Sequence, residues 1–336
     1  MLASSKNSTR ADSSKSSTED APAEMKVRIG VTLGQSLGGL RNPQEILDFV
    51  DRLEALDVDS LWVSDRLVSS ALTLEPITFL SYVAGRLRRM KFGTSTLVLS
   101  TRNPVILAKE LATLDFISQG RLFPAVGLGS DDAQDFAAVG VSKKERGQRS
   151  DEAIVLMRRL WSEENVSFSG KFFSIQDVTI TPRPWQKGGL PIWIGGRSQA
   201  ALRRTGRLGD GWLVSGASAA EVGDGIKAIR AYAAEAGRVV PEDHYGVLLP
   251  FYFAGGAAEA YQAAKQSLRQ RPELSPFDFT ALGRPEQVRQ RIEHYVNAGA
   301  SKFVMRPCGP FEKWHEQIEM LEREVIQPLQ TPDREP

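Results

Sequence analysis

Short runs of β-branched and aromatic residues alternate along the chain with stretches whose apolar positions recur every three to four residues. The short runs predict strands over 26–33, 58–64, 92–99, 121–128, 191–194, 211–214, 244–253 and 302–306. The longer stretches predict helices over 43–56, 76–87, from Pro104 onward, and over 146–161, 198–208, 219–236, 257–269, 285–296 and 314–325. In the first helix, Ile46, Val50 and Leu53 share one face; Asn42 caps it, Pro43 opens its first turn and Glu45 reaches back. Asn103-Pro104 repeats that start, and Gly237 marks a helix end. The rhythm breaks once, over 165–189, where strand-like pieces surround Gly170 and are followed by Pro182, Pro184 and Trp185. Such a break reads as an insertion, not as a second domain.

Eight successive βα units with no change of composition predict an α/β protein, a closed (β/α)8 TIM barrel with its insertion between the fourth helix and the fifth strand. An open doubly wound sheet shares that periodicity. The barrel domain is expected over 25–330. Residues 1–24, rich in Ser and Thr and without an apolar core, read as a disordered tail.

Charge changes the picture by exclusion. Lys and Arg number 42 against 41 Asp and Glu, a net charge of +1, so no basic stripe calls for nucleic acid or an anionic membrane surface. A single cysteine, Cys308, rules out an internal disulfide framework and fits a reducing cytoplasm. It follows the eighth strand with no histidine beside it in sequence, so it reads as a small apolar filler. No metal site is expected.

In a barrel, chemistry belongs at the C-terminal strand ends. None of the three histidines, His244, His294 and His315, falls on such a loop. Mechanisms built on imidazole are therefore disfavoured, and a cofactor is expected to carry the reaction. Gly195-Gly196-Arg197-Ser198 ends the fifth strand and opens a helix, an arrangement that offers a phosphate backbone N–H groups, helix dipole and charge; the tight turn any barrel needs explains the glycines equally well. Gly127 and Gly129 give only a fragment of a dinucleotide fingerprint. Asp65-Arg66, after strand two, reads as a local pair of opposite charges or as a pair orienting a proton or an anionic substrate. Arg102 and Ser130 are candidate substrate contacts on the rim. The acids and arginines over 146–152 read as dipole partners and external ion pairs, and Asp210-Gly211-Trp212, at a strand start, as packing.

Taken in order, several segments resemble the bacterial luciferase-like superfamily of flavin and deazaflavin oxidoreductases. They include residues 59–66, Arg102-Asn103-Pro104 through Asp115, Gln119-Gly120-Arg121, Arg146-Gly147, Asp151-Glu152, residues 191–196, residues 209–212 and residues 283–286. The likeness is nearest to the probable coenzyme F420-dependent branch. It implies a TIM barrel, a homodimer, and coenzyme F420 or FMN at the C-terminal mouth with its phosphate near Gly195 and Gly196. It also implies a non-proline cis peptide at Ser95-Thr96, behind the ring. Asp65 and Arg66 then become the catalytic candidates, and Ser95, Thr96, Gly127, Gly129, Gly195, Gly196, Arg197 and Ser198 the cofactor contacts. The branch that oxidises sugar phosphates carries histidine after strand two and glutamate after strand four, where this chain has Arg66 and Ser130. What remains is monooxygenation by reduced flavin, with a separate reductase as partner, or hydride transfer to or from a small organic substrate. A barrel isomerase or hydrolase acting on a phosphate-bearing substrate, and a non-catalytic flavin-binding barrel, are the alternatives.

Overall fold

A computed structural model describes residues 26–34, 37, 39–40, 42–132 and 134–332; the proposed tail over 1–24 lies outside them. In chain order the elements begin β1 (Arg28–Thr32), α1 (Pro43–Ala55), β2 (Ser60–Val63), α2 (Pro76–Ala84), β3 (Lys91–Val98), α3 (Pro104–Ile117) and β4 (Leu122–Gly127). They continue with α4 (Gln134–Ala137), α5 (Arg146–Ser162), β5 (Val166–Ser169), β6 (Ser174–Val178), β7 (Trp193–Gly195), α6 (Gln199–Leu208), β8 (Gly211–Ser215) and α7 (Ala219–Glu235). The last are β9 (Tyr245–Phe253), α8 (Ala257–Ala264), β10 (Ala281–Gly283), α9 (Pro285–Asn297), β11 (Lys302–Pro307) and α10 (Trp314–Leu321).

Eight parallel strands close on themselves in the order β1, β2, β3, β4, β7, β8, β9, β11, with Ile29 of β1 set against Phe303 of β11. The expected TIM barrel is therefore present. All eight anticipated strands form, and the insertion is the antiparallel pair β5–β6. One strand escaped sequence reading: β10 pairs with the end of β9, Ala281 beside Phe251, and three residues are too few to show a period. The helix expected over 257–269 ends early, at Ala264.

The two start signals work as anticipated. Asn42 accepts a hydrogen bond from Glu45 N at 3.2 Å, and Asn103 from Val105 N at 2.9 Å. The glycine that fills the barrel is less obvious from sequence. Strand side chains alternate between the inside of the cylinder and the helix layer, and two indoles, Trp62 and Trp193, occupy the inside. They fit because neighbouring inward positions are glycine: a Cβ on Gly93 would lie 2.9 Å from Trp62, and one on Gly211 2.5 Å from Trp193.

Charge closes the N-terminal floor. Asp59, its side chain 3% exposed, pairs with Lys302 and lies 3.4 Å from Lys91 and 3.9 Å from Arg28. Burial opposes its ionisation, but Lys302 and Lys91 prevail and hold the carboxyl at about 2. Above the Lys302 ammonium lies the Trp62 ring, 5.8 Å away.

Two of the acids and arginines at the start of α5, Glu152 and Arg149, anchor the insertion, while Arg146 forms an external ion pair with Asp131 and Asp151 pairs with Arg204 of α6. Glu152 accepts from Lys171 N, Phe172 N and Phe173 N at 3.0, 3.0 and 2.7 Å, and Arg149 stacks 4.6 Å from the Phe173 ring. The packing role expected for Asp210-Gly211-Trp212 holds: Asp210 joins Arg158 and Arg238, while Trp212 Nε1 donates to Gly196 O at 2.7 Å. Among the described residues no helix is long and apolar enough to cross a membrane.

Candidate active site

The C-terminal mouth of the barrel is floored by hydroxyls. Thr32, Ser64 and Ser95 are the inward residues near the ends of β1, β2 and β3, and all three are buried. Thr32 Oγ1 lies 3.2 Å from Ser95 Oγ, and Ser64 Oγ donates to Ser95 O at 3.1 Å. The peptide between Ser95 and Thr96 is cis, as the family resemblance implied, and the pairing of β3 with β4 skips a residue there, between Ser95 and Leu97.

Past that skip the Thr96 side chain lodges between β4 and β7. A Cβ on Gly195 would stand 2.6 Å from Thr96 Cγ2, and one on Gly127 would overlap Thr96 Oγ1. Gly129, at φ +79°, has Val98 2.9 Å from where its Cβ would be. Gly127, Gly129 and Gly195 are thus accounted for by close packing around β3. In sequence, a glycine that admits a neighbouring side chain looks like one that admits a phosphate.

Asp65 and Arg66 do not pair with each other, contrary to the local ion-pair reading; alternation at the strand end turns them to different partners. Asp65 Oδ2 accepts from Val98 N at 2.9 Å and from Arg102 at 3.0 Å, and Arg102 also reaches Glu75 at 3.0 Å. Burial raises the Asp65 carboxyl above its usual value, more than Arg102 and the Val98 amide lower it. Arg66 pairs with Asp132 at 2.7 Å and donates to Val68 O at 3.1 Å, tying the loop after β2 to the loop after β4. Ser130 serves that second loop: its Oγ accepts from Asp132 N at 3.2 Å and its carbonyl from Arg146 at 2.9 Å. Asp132 and Glu75 were missed because neither stands next to its arginine in sequence.

At the end of β7, Gly196 takes φ +111°, a conformation that favours glycine, and Ser198 caps α6 by accepting from Ala201 N at 3.2 Å. Arg197 lies between them, half-buried, with no ion pair among the described residues. Burial, followed by the nearby Arg271 and Arg269, lowers its pKa below the ordinary arginine value, more than Glu221 and Glu273 raise it. Arg271 itself is neutralised by Glu221 at 3.0 Å and Glu273 at 2.7 Å, and it also binds Gly216 O. An exposed cation needs no partner, but a half-buried one beside other cations is a place for an anion. The residues present therefore fit the phosphate of a flavin or deazaflavin nucleotide, with Arg197, the Gly196 turn and the start of α6 as its holders.

Cys308 is buried, and burial raises its thiol pKa, consistent with the filler role. Among the described residues no group of three or more His, Cys, Asp or Glu is placed to hold a metal.

The family model for luciferase-like monooxygenases matches residues 25–277. An F420-dependent glucose-6-phosphate dehydrogenase from Kineococcus radiotolerans is 33% identical over 179 residues, 51% of this chain and 52% of that protein. The chain thus matches about half the length of that relative. A protein of the same name from Amycolatopsis mediterranei is 27% identical over 302 residues, 80% of this chain and 89% of its own. Among solved structures, monooxygenase RslO1 from Streptomyces bottropensis superposes with a TM-score of 0.78 at 24% identity, covering 90% of this chain and 99% of that one. An F420-dependent secondary alcohol dehydrogenase, in complex with an F420-acetone adduct, gives 0.75 at 21% identity, covering 90% and 98%. At those identities the two structures are alike in fold.

Proposed function

Because the chain belongs to the luciferase-like monooxygenase family, we propose that it is an oxidoreductase that uses coenzyme F420 or reduced FMN on a small organic substrate. The observation that carries this reading is the half-buried Arg197 on a strand-end turn, with no ion pair among the described residues and with Arg271 and Arg269 near it. Bound at the mouth, a reduced flavin or deazaflavin supplies hydride transfer or oxygen activation. The protein's share is to hold the phosphate at Gly196, Arg197 and Ser198, and to offer the ring a floor of Thr32, Ser64, Ser95 and Thr96. Asp65 acts as a positioning residue, fixing Arg102 and the end of β3. With Asp65 held by Val98 N and Arg102, and with an arginine, which is no base, at position 66, the Asp65-Arg66 pair offers no free base, which argues against the sugar oxidation named for the relatives. Oxygen chemistry through FMN would call for a separate reductase.

Fluorescence titration with FMN and with coenzyme F420, oxidised and reduced, tests the reading. One of the two is expected to bind, and Arg197→Met to weaken it roughly 10- to 100-fold, the worth of a charge-assisted contact. No affinity for either would leave the phosphate-substrate isomerase or hydrolase as the better account.

The same reading includes a homodimer and a location in the reducing cytoplasm. The faces of α2 and α3 away from the barrel expose Tyr82, Ile106, Phe116 and Ile117, and Trp185 packs edge-on to Phe116 at 6.0 Å. Both helices are apolar on more than their core side, which asks for a cover. A second copy is expected there. Light scattering should find a dimer that Ile117→Glu converts to monomer; a wild-type monomer would refute the interface.

A further inference from the structure

Every second residue of β11 faces the inside of the barrel. Lys302 meets Asp59 on the floor, Val304 joins Trp62 and Trp193 in the middle, and Arg306 stands at the mouth, level with Pro250 of β9. The next strand, β1, keeps the same register, so its inward Thr32 belongs to the Arg306 layer. Its apolar stem lies against Gly34, where a Cβ would meet Arg306 Cδ at 3.4 Å, an ordinary contact.

Apart from Arg197, the rim arginines Arg66, Arg102, Arg146 and Arg271 are already occupied, by Asp132, by Asp65 and Glu75, by Asp131 and by Glu221. Arg306 is different. Among the described residues its side chain makes one hydrogen bond, from Nη2 to Ser267 O at 2.9 Å, and no ion pair. The remaining N–H donors of its planar fork match the two oxygens of a carboxylate or phosphate. Arg306 is also removed from the Arg197 turn, since β8 and β9 separate β11 from β7. Arg197 is assigned to the cofactor's phosphate, and Arg306 lies beside the hydroxyl floor, in the layer of Thr32.

We propose that Arg306 selects an anionic substrate, gripping a carboxylate or phosphate while the rest of the molecule rests over Thr32, Ser64 and Ser95. This deepens the oxidoreductase reading and rests on it for the word substrate. The pairs acetone and pyruvate, and glucose and glucose 6-phosphate, differ chiefly in the anionic group and are suitable probes. Calorimetry on the full chain, with and without saturating cofactor, should show pyruvate or glucose 6-phosphate binding roughly 10- to 100-fold more tightly than its neutral twin. Which pair shows the gap tells carboxylate from phosphate. Arg306→Met, which keeps the apolar stem against Gly34, should erase the gap and leave cofactor affinity unchanged; Arg306→Lys should keep part of it and guards against a folding defect. The proposal is overturned by equal affinity for both members of both pairs in the wild type, by a gap that survives Arg306→Met, or by a gap unchanged while cofactor binding falls. A wild-type protein that binds no cofactor would sink the oxidoreductase reading separately, because the anion preference is still measured without it.

Discussion

Asp59→Asn is expected to destabilise the fold by about 3–5 kcal/mol, since it leaves Lys302, its side chain 12% exposed, under the barrel without its counter-charge. Urea denaturation reads this as a lower midpoint at unchanged slope. Replacing Lys302 by Met in the same chain should recover much of the loss, because the penalty comes from the stranded ammonium and not from the missing attraction. A loss under about 1 kcal/mol would show that the floor is solvated and that the pair contributes as little as a surface one.

The same group sets a pH dependence whose sign follows from its depressed pKa. The folded carboxyl stands at about 2 against an ordinary 3.8, so the native state binds its proton less readily than the unfolded chain does. Its contribution is complete above pH 3.8 and disappears as pH falls toward 2, roughly 2 kcal/mol in all. Asp59→Asn should remove this segment of the stability curve along with the stability itself.

The floor also shows where sequence reading stops. Strand and helix order were legible because each element carries its own period, and the caps at Asn42 and Asn103 because their partners lie two or three residues away. Asp59 and Lys302 are separated by 243 positions, and only barrel closure brings them together. Distance in sequence likewise hid Asp132 from Arg66 and Glu75 from Arg102. Arg306 and Thr32 are different, for they were within reach. Alternation along a strand whose end faces the mouth marks every second residue as inward, and that rule picks out both once the barrel is assumed. The glycines were legible in sequence but their purpose was not, since their neighbours, not their own spacing, determine what a missing Cβ is for.

Gly195→Ala separates those two meanings. If the glycine is there for Thr96, the new methyl, 2.6 Å from Thr96 Cγ2, must push that side chain out of the gap between β4 and β7. Overpacking of this kind costs about 1–3 kcal/mol. Thr96 also floors the mouth, so cofactor affinity should fall with stability, by roughly 5- to 150-fold if the whole cost is expressed at the site. Thr96→Ser removes the methyl that collides and alone should do little. Combined with Gly195→Ala it should restore most of both quantities, a coupling of at least about 1 kcal/mol between two residues that the sequence places 99 positions apart. Additive effects in that cycle would mean that the alanine acts on the phosphate turn directly, and the glycine would return to the cofactor.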